Sequence, residues 1–150
     1  MSNTKSLVIL MADDDADDRL LAKDALAECK LPCELQFVEN GEELIDYLKR
    51  RGKFEQLGDS PRPGLILLDL NMPKKDGREA LKEIKSDPEF RKIPVVVLTT
   101  SKADTDIGRI YELGANSFIS KPVSFDSLVE VMRSLSHYWF EIVELPTKQP

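Results

Sequence analysis

Soft metal ligands are scarce in this chain: it has two cysteines, Cys29 and Cys33, and one histidine, His137, in 150 residues. Four such ligands cannot be gathered within one chain, which excludes a structural zinc site. The C-x3-C spacing permits a disulfide, but a reducing cytosol disfavours it, so both thiols are read as free and structurally incidental. His137 has no second histidine for a proton relay and is expected at the surface near a helix end. Also missing is any apolar stretch close to the roughly 20 residues that span a bilayer. Met1-Ser2-Asn3-Thr4-Lys5 lacks the apolar core of a signal peptide, so a cytoplasmic protein without a membrane partner is expected. Positive charge is in deficit, with 21 Lys and Arg against 27 Asp and Glu, a net charge of −6. A field of that sign repels phosphate backbones, and nucleic acid is not an expected partner.

Short apolar runs, by contrast, are dense. Leu7–Met11, Glu34–Val38, Leu65–Leu68, Val95–Leu98 and Ser117–Ile119 have the length and character of strands. Between them lie helical stripes: Leu21, Ala22, Ala25, Leu26 and Cys29; then Leu44, Ile45 and Leu48 after the Asn40-Gly41 break. Further stripes follow in Ala80, Leu81 and Ile84; in Ile107, Ile110 and Leu113 with Gly114 as C-terminal cap; and in Phe125–Leu135 behind a Ser124 cap. Residues Arg51–Gly64, with three Gly and two Pro and no period, read as a long loop. The pattern predicts an α/β protein, a doubly wound five-stranded parallel sheet with five helices. One domain is expected over 1–150, with a core of about residues 6–137 and a C-terminal extension over 138–150.

Ligands of such sheets bind beyond the carboxyl ends of the strands. The residues there are Ala12-Asp13-Asp14-Asp15, then Asp69, then Thr99-Thr100-Ser101, then Lys121-Pro122. Carboxylates about 4 Å apart repel by about 4 kcal/mol at an effective dielectric of about 20, so an acidic cluster on one rim calls for a cation. Oxygen donors without His or Cys suit Mg²⁺. Taken alone, Asp13–Asp15 also read as a helix cap with dipole-favoured acids, and Lys121 as a surface lysine. Asp69 is harder to place that way, because it ends a fully apolar strand where a charge is costly.

Leu65-Ile66-Leu67-Leu68-Asp69-Leu70-Asn71-Met72-Pro73 followed by Asp76-Gly77 resembles the phosphorylation-site signature of two-component response-regulator receiver domains. The acids after the first strand, Thr99 after the fourth and Lys121-Pro122 after the fifth match in order, over about residues 6–137. Within that family the chain is most similar to single-domain phytochrome-associated regulators. That likeness rests on Ser60-Pro61-Arg62-Pro63, Pro73-Lys74-Lys75-Asp76-Gly77-Arg78-Glu79 and Tyr138-Trp139-Phe140-Glu141.

The resemblance implies a flavodoxin-like strand order of 2-1-3-4-5 and phosphorylation of Asp69 by a sensor histidine kinase, a phytochrome among the candidates. A histidine phosphotransfer protein is a further implied partner, reached by onward transfer. It implies Mg²⁺, with Mn²⁺ or Ca²⁺ as substitutes, held by Asp13, Asp69 and the backbone carbonyl of Asn71. Lys121 would pair with the Asp69 carboxylate and then the phosphoryl group, Thr99 would hydrogen-bond that group, and Phe118 would be the aromatic switch. One position departs from the family: Ala12 stands where the first of two adjacent acids is usual. Loss of that acid would either lower metal affinity or shift the burden to Asp14.

Two rival readings share some of these features. Haloacid-dehalogenase-type phosphatases share a strand-end Asp, a Thr or Ser, a Lys and Mg²⁺, but need a general acid where this chain has Asn71, so multiple-turnover catalysis is not expected. A degenerate receiver acting as a scaffold would not keep Asp69, Thr99 and Lys121. Finally, Tyr138, Trp139 and Phe140 point in different directions on any helix, while Phe125–Leu135 already supply one buried stripe. A homodimer built partly on these aromatics is expected, the alternative being a tail folded back on its own domain.

Overall fold

The computed structural model describes residues 7–29, 33–58, 62–70, 72–99, 108, 110–120 and 124–137. In chain order these form β1 (Leu7–Ala12), α1 (Ala16–Cys29), β2 (Cys33–Val38), α2 (Gly41–Lys49), a 3₁₀ helix (Gly52–Leu57), β3 (Leu65–Leu68), α3 (Gly77–Ser86), β4 (Val95–Thr99), β5 (Ser117–Ser120) and α4 (Phe125–Ser136). Residues 110–112 are helical and lead into β5. All strand pairs are parallel, and the sheet runs β2-β1-β3-β4-β5, the expected doubly wound order.

The apolar run of β3 is explained by its place at the centre of this sheet. Ile66 and Leu68 join Leu10, Val95 and Val97 in an apolar layer beneath α2 and α3. Leu65 and Leu67 face the other way, with Ile9, Met11, Val96 and Leu98, into a layer covered by α1 and α4. A strand buried on both faces has no polar alternate positions, so it shows no period of two.

Helix starts follow local chemistry. The Asn40 side chain accepts from the Glu43 N–H at 2.9 Å, and Ser124 Oγ accepts from the Ser127 N–H at 3.1 Å. Gly114 has φ +110°, the left-handed conformation that ends the preceding helical turn at low cost. Cys29 is a free, half-buried thiol. Burial pushes its pKa up against the pull of Arg133, which leaves it a poor nucleophile. The Cys33 side chain lies outside the described ones. His137 is the exposed C-cap of α4, as expected.

The 51–64 reading needs correction. Gly52–Leu57 form a 3₁₀ helix rather than open loop, and Phe54 and Leu57 pack against the core. The Phe54 ring meets Tyr47 edge-on, with centroids 5.2 Å apart. Two apolar residues anchor the turn, too few for any period to register.

Candidate acidic site at the strand ends

β1 and β3 are hydrogen-bonded neighbours, with Ala12 opposite Leu68. The first residues beyond them, Asp13 and Asp69, therefore leave the sheet side by side. The Asp69 N–H donates to the Ala12 carbonyl at 3.0 Å, and the Asp13 N–H donates to the Val38 carbonyl at 3.1 Å. Both aspartates are buried, Asp13 completely and Asp69 to 7% residual exposure. Exposed Asp14 joins them, and the three carboxylates place oxygens within 4.8 Å of one another. Like charges at that spacing repel by about 3 kcal/mol at an effective dielectric of about 20. Three hard oxygen donors, two of them buried, fit a divalent cation of the Mg²⁺ or Ca²⁺ type.

The acids after β1 divide their work. Asp15 Oδ1 accepts the N–H groups of Asp17 and Asp18 at 2.8 and 3.2 Å, so Asp15 is the helix cap. Asp13 and Asp14 are left to the cluster. Ala12 is fully buried in the apolar layer beneath α2 and α3. Asp14 is thus the second acid from this segment at the cluster.

The segment after β3 is held by backbone packing. The N–H groups of Met72 and Gly77 both donate to the Leu70 carbonyl, at 3.2 and 3.0 Å. A Cβ on Gly77 would lie 2.5 Å from the Asp69 carbonyl oxygen and 2.6 Å from Leu70 Cα, so only glycine lets α3 start this close to the acid. Asp76 caps α3 through the Arg78 and Glu79 N–H groups, with Glu79 completing a capping box. On the far side, the Gly41 N–H donates to the Lys75 carbonyl at 2.9 Å, and a side chain at Gly41 would collide with that carbonyl.

β4 and β5 end on the same rim, with Thr99 opposite Ser120. The backbone places Thr99 there and Phe118 within β5, but their side chains lie outside the described ones. Asn71, Lys121, Tyr138, Trp139 and Phe140 lie outside the described residues altogether.

Arg19 was missed in the sequence. Its Nη1 donates to the Asp13 carbonyl at 2.7 Å, and its Nη2 lies 3.7 Å from a Glu39 carboxylate oxygen. The one available signal was that Arg19 is the first cation after a run of acids, which reads equally well as a solvated helix face.

The profile of the response regulator receiver domain matches residues 9–133. Response regulator Rcp1 of Synechocystis sp. is 41% identical over 145 residues, covering 97% of this chain and 96% of its own length. Among solved structures, the phosphorylated cyanobacterial phytochrome response regulator RcpA is similar with a TM-score of 0.86 and 40% identity, covering 94% of this chain and 99% of its own. The Mn²⁺-bound form of Rcp1 gives 0.84 and 41%, covering 93% and 99%. With this fold, and with acids from β1 and β3 meeting on its carboxyl rim, the chain belongs to the response regulator receiver domain family.

Proposed function

We propose that the chain is a phosphoryl-accepting switch of two-component signalling, with Asp69 as its acceptor. The observation that carries this is the meeting of buried Asp69 with Asp13 and Asp14 at the mouth of two paired strands. In the reaction, an Asp69 carboxylate oxygen attacks the phosphorus of a partner's phosphohistidine in line. The P–N bond breaks, its electron pair stays with the imidazole, and an acyl phosphate forms. The likeness to RcpA and Rcp1 favours a sensor histidine kinase of the phytochrome kind as donor.

Asp13, Asp69 and the Asn71 carbonyl would hold Mg²⁺, with Asp14 as the added acid, and Mn²⁺ or Ca²⁺ as substitutes. When bound, the ion offsets negative charge on the transferring group. Lys121 pairs with the acceptor and then with the phosphoryl group. Thr99 hydrogen-bonds that group, and Phe118 packs inward with it, which biases the two conformations of the switch. Asn71 supplies no general acid, so turnover of outside phosphoesters is not part of this function. The receiver comprises about residues 6–137 and acts in the cytoplasm. Its 138–150 extension joins two copies through Tyr138, Trp139 and Phe140. Output is by protein contact or onward transfer to a phosphotransfer histidine.

Acetyl phosphate with Mg²⁺ should add one phosphoryl mass to the intact protein and none to Asp69→Asn. An Asp69→Asn protein that still gains the mass would refute the assignment. Sedimentation of the same samples should show a dimer, and a monomer with and without phosphorylation defeats the interface.

A further inference from the structure

Arg19 lies in the first turn of α1, where its own N–H donates to the Asp15 carbonyl at 3.0 Å. Its side chain is only 18% exposed, which is low for an arginine in an acidic stretch. One guanidinium arm holds the Asp13 carbonyl at 2.7 Å, a charge-assisted bond of the stronger kind. The other arm lies 3.7 Å from Glu39, just beyond the end of β2. Glu39 is itself anchored, its N–H donating to Glu43 Oε1 at 2.8 Å. A single side chain thus ties the Asp13 backbone to both α1 and the segment after β2. Within the acidic segment, Asp13 Oδ1 accepts the Asp15 N–H at 2.9 Å, which sets the carboxylate relative to the same backbone.

We infer that Arg19 is a positioning residue for the cation-binding acids, acting on Asp13 through its carbonyl; this rests on the receiver reading above. The opposite role is a simple electrostatic one. A guanidinium on the backbone of a cluster acid lowers the local negative potential and would weaken cation binding. Glu39, 3.7 Å away and 60% exposed, offsets only part of that charge, so the short bond to the Asp13 carbonyl carries the positioning role. The two roles predict opposite signs. If Arg19 positions, its removal loosens the site and weakens the cation. If Arg19 only repels, its removal tightens it.

Mg²⁺ titration calorimetry on the full chain decides, with thermal unfolding by circular dichroism read on every variant. Arg19→Gln should lose about ten-fold in Mg²⁺ affinity while still unfolding cooperatively. Arg19→Lys should recover only part of the loss, because an ammonium cannot hold both groups with a rigid fork. Glu39→Gln, which leaves the bond to Asp13, should lose less than Arg19→Gln. Unchanged or tighter binding in Arg19→Gln overturns the inference, as does a lowered melting temperature with wild-type affinity. Should Arg19→Gln fail to fold, Arg19→Lys with wild-type affinity overturns it and reduced affinity supports it. Wild-type protein that binds no Mg²⁺ at all refutes the proposed cation-assisted switch itself, a different result from any of these.

Discussion

The two segments that bring acids to the rim are built differently. After β3, Asp69 is set by backbone against backbone: Gly77 and Met72 on the Leu70 carbonyl, Gly41 on the Lys75 carbonyl, and no room for a Cβ on either glycine. After β1, beyond the one backbone bond from the Asp13 N–H to Val38, Asp13 is set by side chains: Arg19 on its carbonyl, its own carboxylate on the Asp15 N–H, and Asp14 open to solvent. Substitutions after β3 should therefore damage the fold, and those after β1 chiefly the site. Close-packed backbone cannot yield locally, so changes after β3 should cost stability. Side-chain ties can be cut singly, so changes after β1 should cost ligand affinity first.

A large effect is expected from this contrast at Gly77. Gly77→Ala places a methyl group against Asp69 and Leu70 backbone atoms, and should destabilise by about 3 kcal/mol in urea unfolding. Loss below 1 kcal/mol would show that the segment gives way as easily as the one after β1. The smallest is on the outer edge of the same segment. Lys75 Nζ lies 2.6 Å from Glu83 Oε1, but both side chains are about one-third exposed, at 31% and 35%. Lys75→Met should therefore cost only about 0.5 kcal/mol at neutral pH. The Glu83 hydrogen bond raises the Lys75 pKa above the ordinary 10.5. A raised ammonium stabilises the fold below its unfolded value, and that contribution fades as pH climbs through the folded one. The small gap between wild type and Lys75→Met should then close above about pH 10.5, and a gap that widens there would contradict the pairing.

Much of this was legible in the sequence because burial on both faces leaves an unmistakable mark. Leu65–Leu68 could only be a central strand, and a charged Asp69 at its end had to be functional or ruinous. The Gly114 and Ser124 caps were legible too, since caps depend on near neighbours, whereas Asn40 read only as a break and proves to be the cap of α2. What escaped notice depended on backbone atoms or distant partners. Arg19 acts on a carbonyl, which carries no residue identity, and on Glu39 in a different loop. Phe54 and Leu57 anchor a turn too short to show periodicity. The triplet Asp13–Asp15 suited both a cap and a ligand set; the division shows only once Asp15 is seen on the Asp17 and Asp18 N–H groups and Asp13 and Asp14 are seen clustered with Asp69.

The two segments, so differently built, each bring a buried carboxylate to one cluster. Mg²⁺ titration of Asp13→Ala, Asp69→Asn and the double variant asks whether they hold a single cation. Each single change should remove most of the binding, and the double should be little worse than either, since both acids serve the same ion. Asp13→Ala that binds Mg²⁺ as tightly as wild type would contradict the account.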